Sequence, residues 1–106
     1  MSSDCRLVLT TAGSKEEAHK IARALVERRL AACVNIVSGV ESVYRWEGAV
    51  ETAEEWLLIV KTTAAAFERV RDAIQELHSY ELPECIALPV DAGSTGYSSW
   101  IRESVE

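Results

Sequence analysis

A chain of 106 residues suits one domain, read here as 1–106, and at this size roughly two-thirds of the surface exposed on unfolding is buried on folding. With 48% apolar and 26% charged residues, a packed globule is expected rather than disorder. The net charge of −6, from 17 acidic against 11 basic residues, argues against non-specific nucleic-acid binding, which draws its affinity from clustered Lys and Arg.

The opening MSSDCRLVLT has no basic region followed by a long apolar stretch, so no signal peptide is read. CRLVLTT, residues 5–11, reads as a strand, broken by Ala12-Gly13. Ser14 begins SKEE, where the serine can cap a helix and Glu17 can reciprocate three residues later. The helix is predicted to run to about Leu30, because Ala18, Ile21, Ala22, Leu25, Val26 and Leu30 fall on one stripe. A second strand runs from Cys33 to Trp46, with Gly39 as a candidate bulge, and Val40, Ser42, Tyr44 and Trp46 share one face by parity. Glu47-Gly48-Ala49-Val50 is a hairpin connection, and the return strand spans roughly 51–62. Thr63 can cap a second helix with the stripe Phe67, Val70, Ile74 and Leu77. Pro83 stops anything helical, CIALPV (85–90) is the last long strand, and YSSWIRES makes a short closing helix or turn. No apolar run approaches the roughly 18 residues of a membrane helix, so no membrane insertion is expected.

Strand, helix, strand, strand, helix, strand is the order of an α+β, ferredoxin-like βαββαβ sandwich with an extended hairpin between its second and third strands. Two helices cover one face of such a sheet, yet neither WLLIV nor CIALPV alternates apolar with polar. Each large apolar side chain left in water forfeits about 1.5 to 3 kcal/mol. Residues 91–106, partly Gly and Ser, are too few to cover the second face. A closed homo-oligomer follows. Three cysteines without a CxxC spacing speak against a disulfide framework and for a reducing, cytoplasmic location.

The runs ERRLAACVNI (27–36), YRWEG with the following EE and IVKTT (44–63), and LHSYELPEC (77–85) resemble the CutA family, the divalent-cation tolerance proteins. The likeness extends from RLVLTT to YSSW. It implies a homotrimer with helices outside and sheets inside, similar in architecture to the nitrogen-regulatory PII proteins. It also implies a role in tolerance to metal ions, with copper(II) or another divalent cation bound. The alternative is a PII-like trimeric module that binds or anchors a small ligand or protein partner without a physiological metal role. Cys33 matches the family cysteine after the first helix, Trp46 and Gly48 its WEG turn, and Glu55 and Lys61 its strand glutamate and lysine. Tyr80, Pro83 and Glu84 match its YxxPE segment, and His78 the second histidine of a pair in some bacterial members. Leu77 stands where those members carry the first histidine, and Thr10 where they carry a cysteine.

Copper(II) or zinc needs three or four converging N, S or O ligands. The only histidines are His19, expected to be solvated, and His78, near a helix end where an imidazolium also complements the dipole. One protomer is a poor chelator. A three-fold axis would multiply His78 or Cys33, the two candidate metal ligands. Trp46, Glu55, Lys61, Tyr80 and Glu84 are instead candidates for a polar cleft between subunits. Lys61 ends an apolar strand and is expected to pair with a carboxylate, Glu84 being the candidate. Trp46, Trp56 and Trp100 are read as packing anchors. No GxSxG, HExxH or P-loop occurs, and two histidines leave few general bases, so no enzymatic activity is expected.

Overall fold

The computed structural model describes residues 4–106; the first three residues of the domain, and of the stretch read for a signal peptide, lie outside the described residues. In chain order the elements are β1 (Cys5–Ala12), α1 (Lys15–Glu27), β2 (Cys33–Trp46) and β3 (Ala49–Thr63), followed by a 3-10 turn (Ala64–Ala66), α2 (Phe67–Leu77), β4 (Ile86–Pro89) and α3 (Thr95–Ser104). The strands form one sheet in the order β2-β3-β1-β4, with every neighbouring pair antiparallel. That is the ferredoxin-like arrangement expected from the element order.

Val8 and Ala12 of β1, with Leu58 and Val60 of β3, point to one side. They pack against Ile21 and Leu25 of α1 and Val70 and Ile74 of α2. The α1 stripe is the one read from the periodicity, although the helix stops at Glu27 and Arg29 turns the chain at φ 60°. Ser14 caps α1 by accepting from the Glu17 amide at 3.1 Å. The reciprocal half of the box does not form, because the Glu17 carboxylate is drawn instead to Ser79, after α2. Thr63 has extended N-cap geometry but makes no side-chain cap bond, since a 3-10 turn intervenes before α2.

β2 and β3 make a hairpin whose outer half extends beyond β1, which pairs only with residues 56–63. Its turn is Glu47-Gly48, both at positive φ, the geometry of a tight primed hairpin turn. The candidate bulge is real. Val37 pairs with Leu57 and Val40 with Glu55, so β2 carries one extra residue there, and Gly39 supplies φ 75°.

On the second face, Leu7, Leu9, Leu57 and Ile59 lie beside Ile86 and Leu88 in register. The closing segment does cover part of this face, contrary to expectation. Ile101 is buried, the Cys5 thiol points to the Ser98 carbonyl at 3.9 Å, and Tyr97 meets Lys61. Coverage stops at that end, leaving Val37, Ile86 and Leu88 at 42%, 52% and 45% exposure.

One core atom is anomalous. Thr10 points among the helices with its side chain fully buried, and among the described residues its hydroxyl has no hydrogen-bond partner. Thr62, also buried and on the same side of the sheet, donates instead to the Leu30 carbonyl at 2.6 Å. Exchanging an unsatisfied hydroxyl for a methyl of the same shape removes a desolvation penalty. Thr10→Val is expected to raise the unfolding free energy by about 1 kcal/mol in urea titration, whereas Thr62→Val lowers it. A Thr10→Val protein no more stable than the parent would contradict this.

Candidate functional site

The extra residue in β2 changes which side chains face which way. Before the bulge, odd-numbered Val37 shares the open face with Leu57; after it, Val40 shares that face with Glu55, and so by alternation do Ser42, Tyr44 and Trp46. These residues meet the segment after α2 around a cavity of about 750 Å³, within the usual range of small-ligand sites. Its walls are Thr11 of β1, Ser42, Val43, Tyr44 and Trp46 of β2, Glu55 of β3, and Tyr80 to Glu84.

Of the five cleft residues expected from sequence, Trp46, Glu55, Tyr80 and Glu84 come together here. Lys61 does not. It lies six residues along β3 from Glu55, about 20 Å away. Its amino group contacts the Tyr97 hydroxyl at 3.2 Å and sits 5.4 Å from that ring's centre, so its partner within the chain is a phenol on α3 rather than Glu84. Ser42 and Tyr44 join the cavity through the alternation already visible in β2. Thr11 and Glu81 were missed, since nothing local marks them.

Tyr80 and Glu55 form the polar centre. Glu55 is 7% exposed, and its Oε2 accepts the Tyr80 hydroxyl at 2.9 Å. Burial, then the bond to Glu55, pushes the Tyr80 phenol up to about 12. Glycine at 13 lets the ring approach β1, because a Cβ there would stand 2.8 Å from the Tyr80 oxygen. Behind Tyr80 lies His78, its side chain fully buried. Its Nε2 donates to the Thr11 carbonyl at 2.6 Å, and Nδ1, accepting the Tyr80 amide at 3.0 Å, is also 3.0 Å from Glu17 Oε1. Burial works against the Glu17 charge, but the amide and hydroxyl of Ser79, with Lys20 nearby, hold its carboxyl below the usual carboxylate range. This network fixes the start of the 78–84 segment to both β1 and α1.

The candidate metal ligands lie apart from such a centre. Both His78 ring nitrogens are occupied, and Cys33 is half-buried opposite Lys61 on the β2–β3 ladder. Burial pushes the Cys85 thiol up, disfavouring the thiolate that binds metal. Among the described residues, no group of three or more His, Cys, Asp or Glu could hold an ion. Trp56 packs on the core as expected of an anchor, while Trp46 and Trp100 remain 40% and 42% exposed.

Comparison with known proteins places this chain in a family. The model described as CutA1 divalent ion tolerance protein matches residues 6–104. The chain belongs to that family. The Divalent-cation tolerance protein CutA of Thermus thermophilus is 51% identical over 98 residues, covering 92% of this chain and 95% of the relative. The solved Thermus structure has a TM-score of 0.94 at 49% identity, covering 96% of this chain and 99% of that one. Protein CutA, chloroplastic, of Arabidopsis thaliana is 44% identical over 98 residues, which span 92% of this chain but 54% of the plant protein. A structure described as the periplasmic divalent cation tolerance protein CutA from Archaeoglobus fulgidus has a TM-score of 0.93 at 43% identity, covering 96% of this chain and 99% of that one. These names overturn the cytoplasmic location read from the cysteines: relatives are called chloroplastic and periplasmic, and three free thiols do not fix a compartment. No helix among the described residues is long and apolar enough to cross a membrane.

The Tyr80 environment has a measurable consequence. With its phenol near 12 in the folded state against 10.0 for the free group, the native state keeps a proton that the unfolded chain has released between those values. The stability this contributes is therefore fully present below pH 10.0 and is lost as pH rises toward 12. In an ultraviolet titration of the folded protein, Tyr80 is expected to ionise in a separate late phase that Tyr80→Phe removes. A late phase unchanged in that variant would contradict the buried bond.

Proposed function

We propose that the protein serves in divalent-cation tolerance as a single-domain homotrimer that binds divalent cations, Cu(II) among them. The observation that carries this reading is the match to a divalent ion tolerance family over residues 6–104. Trimerisation is supported by the apolar rows around Val37, Ile86 and Leu88 that α3 leaves in water, each large side chain worth about 1.5 to 3 kcal/mol when covered. An ion bound by such a trimer would draw ligands from more than one copy. Cys33 is better placed for this than His78, because it lies on the ladder of the open face, whereas His78 would first have to give up its bonds to Thr11 and Tyr80. The protein acts by binding rather than catalysis, in keeping with relatives named for tolerance.

The cavity favours a second reading: a PII-like trimeric module that holds a small ligand or partner in its clefts, independent of any metal. Trp46, Glu55, Tyr80 and Glu84 sharing one space of about 750 Å³ supports it.

Light scattering should give a particle of three 11.7 kDa chains. Equilibrium dialysis against Cu(II) should show saturable binding that a Cys33→Ala/His78→Ala variant loses. Saturable binding retained in the double variant removes both ligands, and a single-chain mass under dilute native conditions removes the trimer.

A further inference from the structure

We infer that the cleft takes an organic cation, an ammonium or guanidinium group carried on an apolar frame. This rests on reading the cavity as a ligand site and names the chemistry of what enters it. Glu55 is the starting point. It is 7% exposed, yet among the described residues only Tyr80 bonds it, through one oxygen, and no Lys, Arg or His pairs with it. Its second oxygen is left without a protein partner at the wall of the cleft, and a positive group is the partner a carboxylate takes most strongly.

The rest of the wall selects the kind of positive group. Glu81 and Glu84 add negative charge, and the lining contains no Lys, Arg or His. A phosphate or carboxylate ligand would therefore face three like charges with no cation to offset them. A bare metal ion fares little better, because the cleft carboxylates do not form a group that could hold one. Tyr44, Trp46 and Tyr80 contribute aromatic rings, whose faces attract ammonium and guanidinium groups. Leu82 and Pro83 supply apolar surface for the frame. Two sources offer this chemistry: a free amine, or a Lys or Arg side chain reaching in from a second copy of the chain.

Choline and its neutral isostere 3,3-dimethyl-1-butanol separate charge from shape without any mutation. Calorimetric titration of the intact protein should show choline binding once per chain, with the isostere at least tenfold weaker. Glu55→Gln keeps an acceptor for Tyr80 and should lower choline affinity at least tenfold with an unchanged circular dichroism spectrum. If a second copy fills the cleft, choline will not bind, and Glu55→Gln will instead weaken self-association at least tenfold in sedimentation. Either pattern supports the inference and identifies the source. Equal affinity for choline and the isostere, or a preference for inorganic phosphate, overturns the cation while leaving a ligand cleft in place. Failure of all three probes, with self-association unaltered in Glu55→Gln, overturns both.

Discussion

Leu57 and Leu58 are neighbours in β3 and point to opposite sides of the sheet, and both are hydrocarbon. Leu58 is sealed beneath the helices; Leu57 belongs to a face that α3 covers only at one end. A sheet apolar on both sides needs two covering layers, and two long helices provide one. This constraint accounts for the exposed apolar row of Val37, Ile86 and Leu88 on that face, while Val26, Leu82, Tyr97 and Trp100 lie exposed elsewhere. It also explains why the cleft lies where it does, at the border between the open face and the segment after α2.

Position within that border depends on a single inserted residue. Without the bulge at Gly39, the alternation of β2 would send Ser42, Tyr44 and Trp46 to the side away from Glu55. With it, two aromatic rings stand on the same side as a buried carboxylate. The opposite wall is held by longer-range bonds: His78 to Thr11, Ser79 to Glu17, and Tyr80 to Glu55. Three elements thus converge on the 78–84 segment, which has no regular structure of its own.

Most of the fold was legible because its signals are local. The α1 stripe, the Ser14 cap, the Glu47-Gly48 turn and the Gly39 bulge each depend on spacing or backbone conformation within a few residues. The misreadings share the opposite character. Lys61 was assigned a carboxylate because an ammonium at the end of an apolar strand needs a partner, but which partner depends on where α3 lands, and Tyr97 is 36 positions away. Glu17 was assigned to its own helix, whereas Ser79, 62 positions on, offers two donors. Trp46, Glu55, Tyr80 and Glu84 could be grouped from sequence as candidate cleft residues and line one cavity of the single chain, but Thr11 and Glu81 enter that cavity only through strand pairing and a loop path. Cysteine usage misled about location for a different reason: free thiols report a redox history, and relatives with the same fold carry names from different compartments.

Burial of the open face by neighbouring copies is tested most directly by hydrogen exchange along β4, whose residues Ile86–Pro89 are all exposed in the single chain. If other copies cover them, the β4 amides not bonded to β1 will be strongly protected at high protein concentration, and protection will fall on dilution into the range where chains separate. Rapid exchange of these amides at every concentration would mean that the face is left to water, and the case for closure would fail.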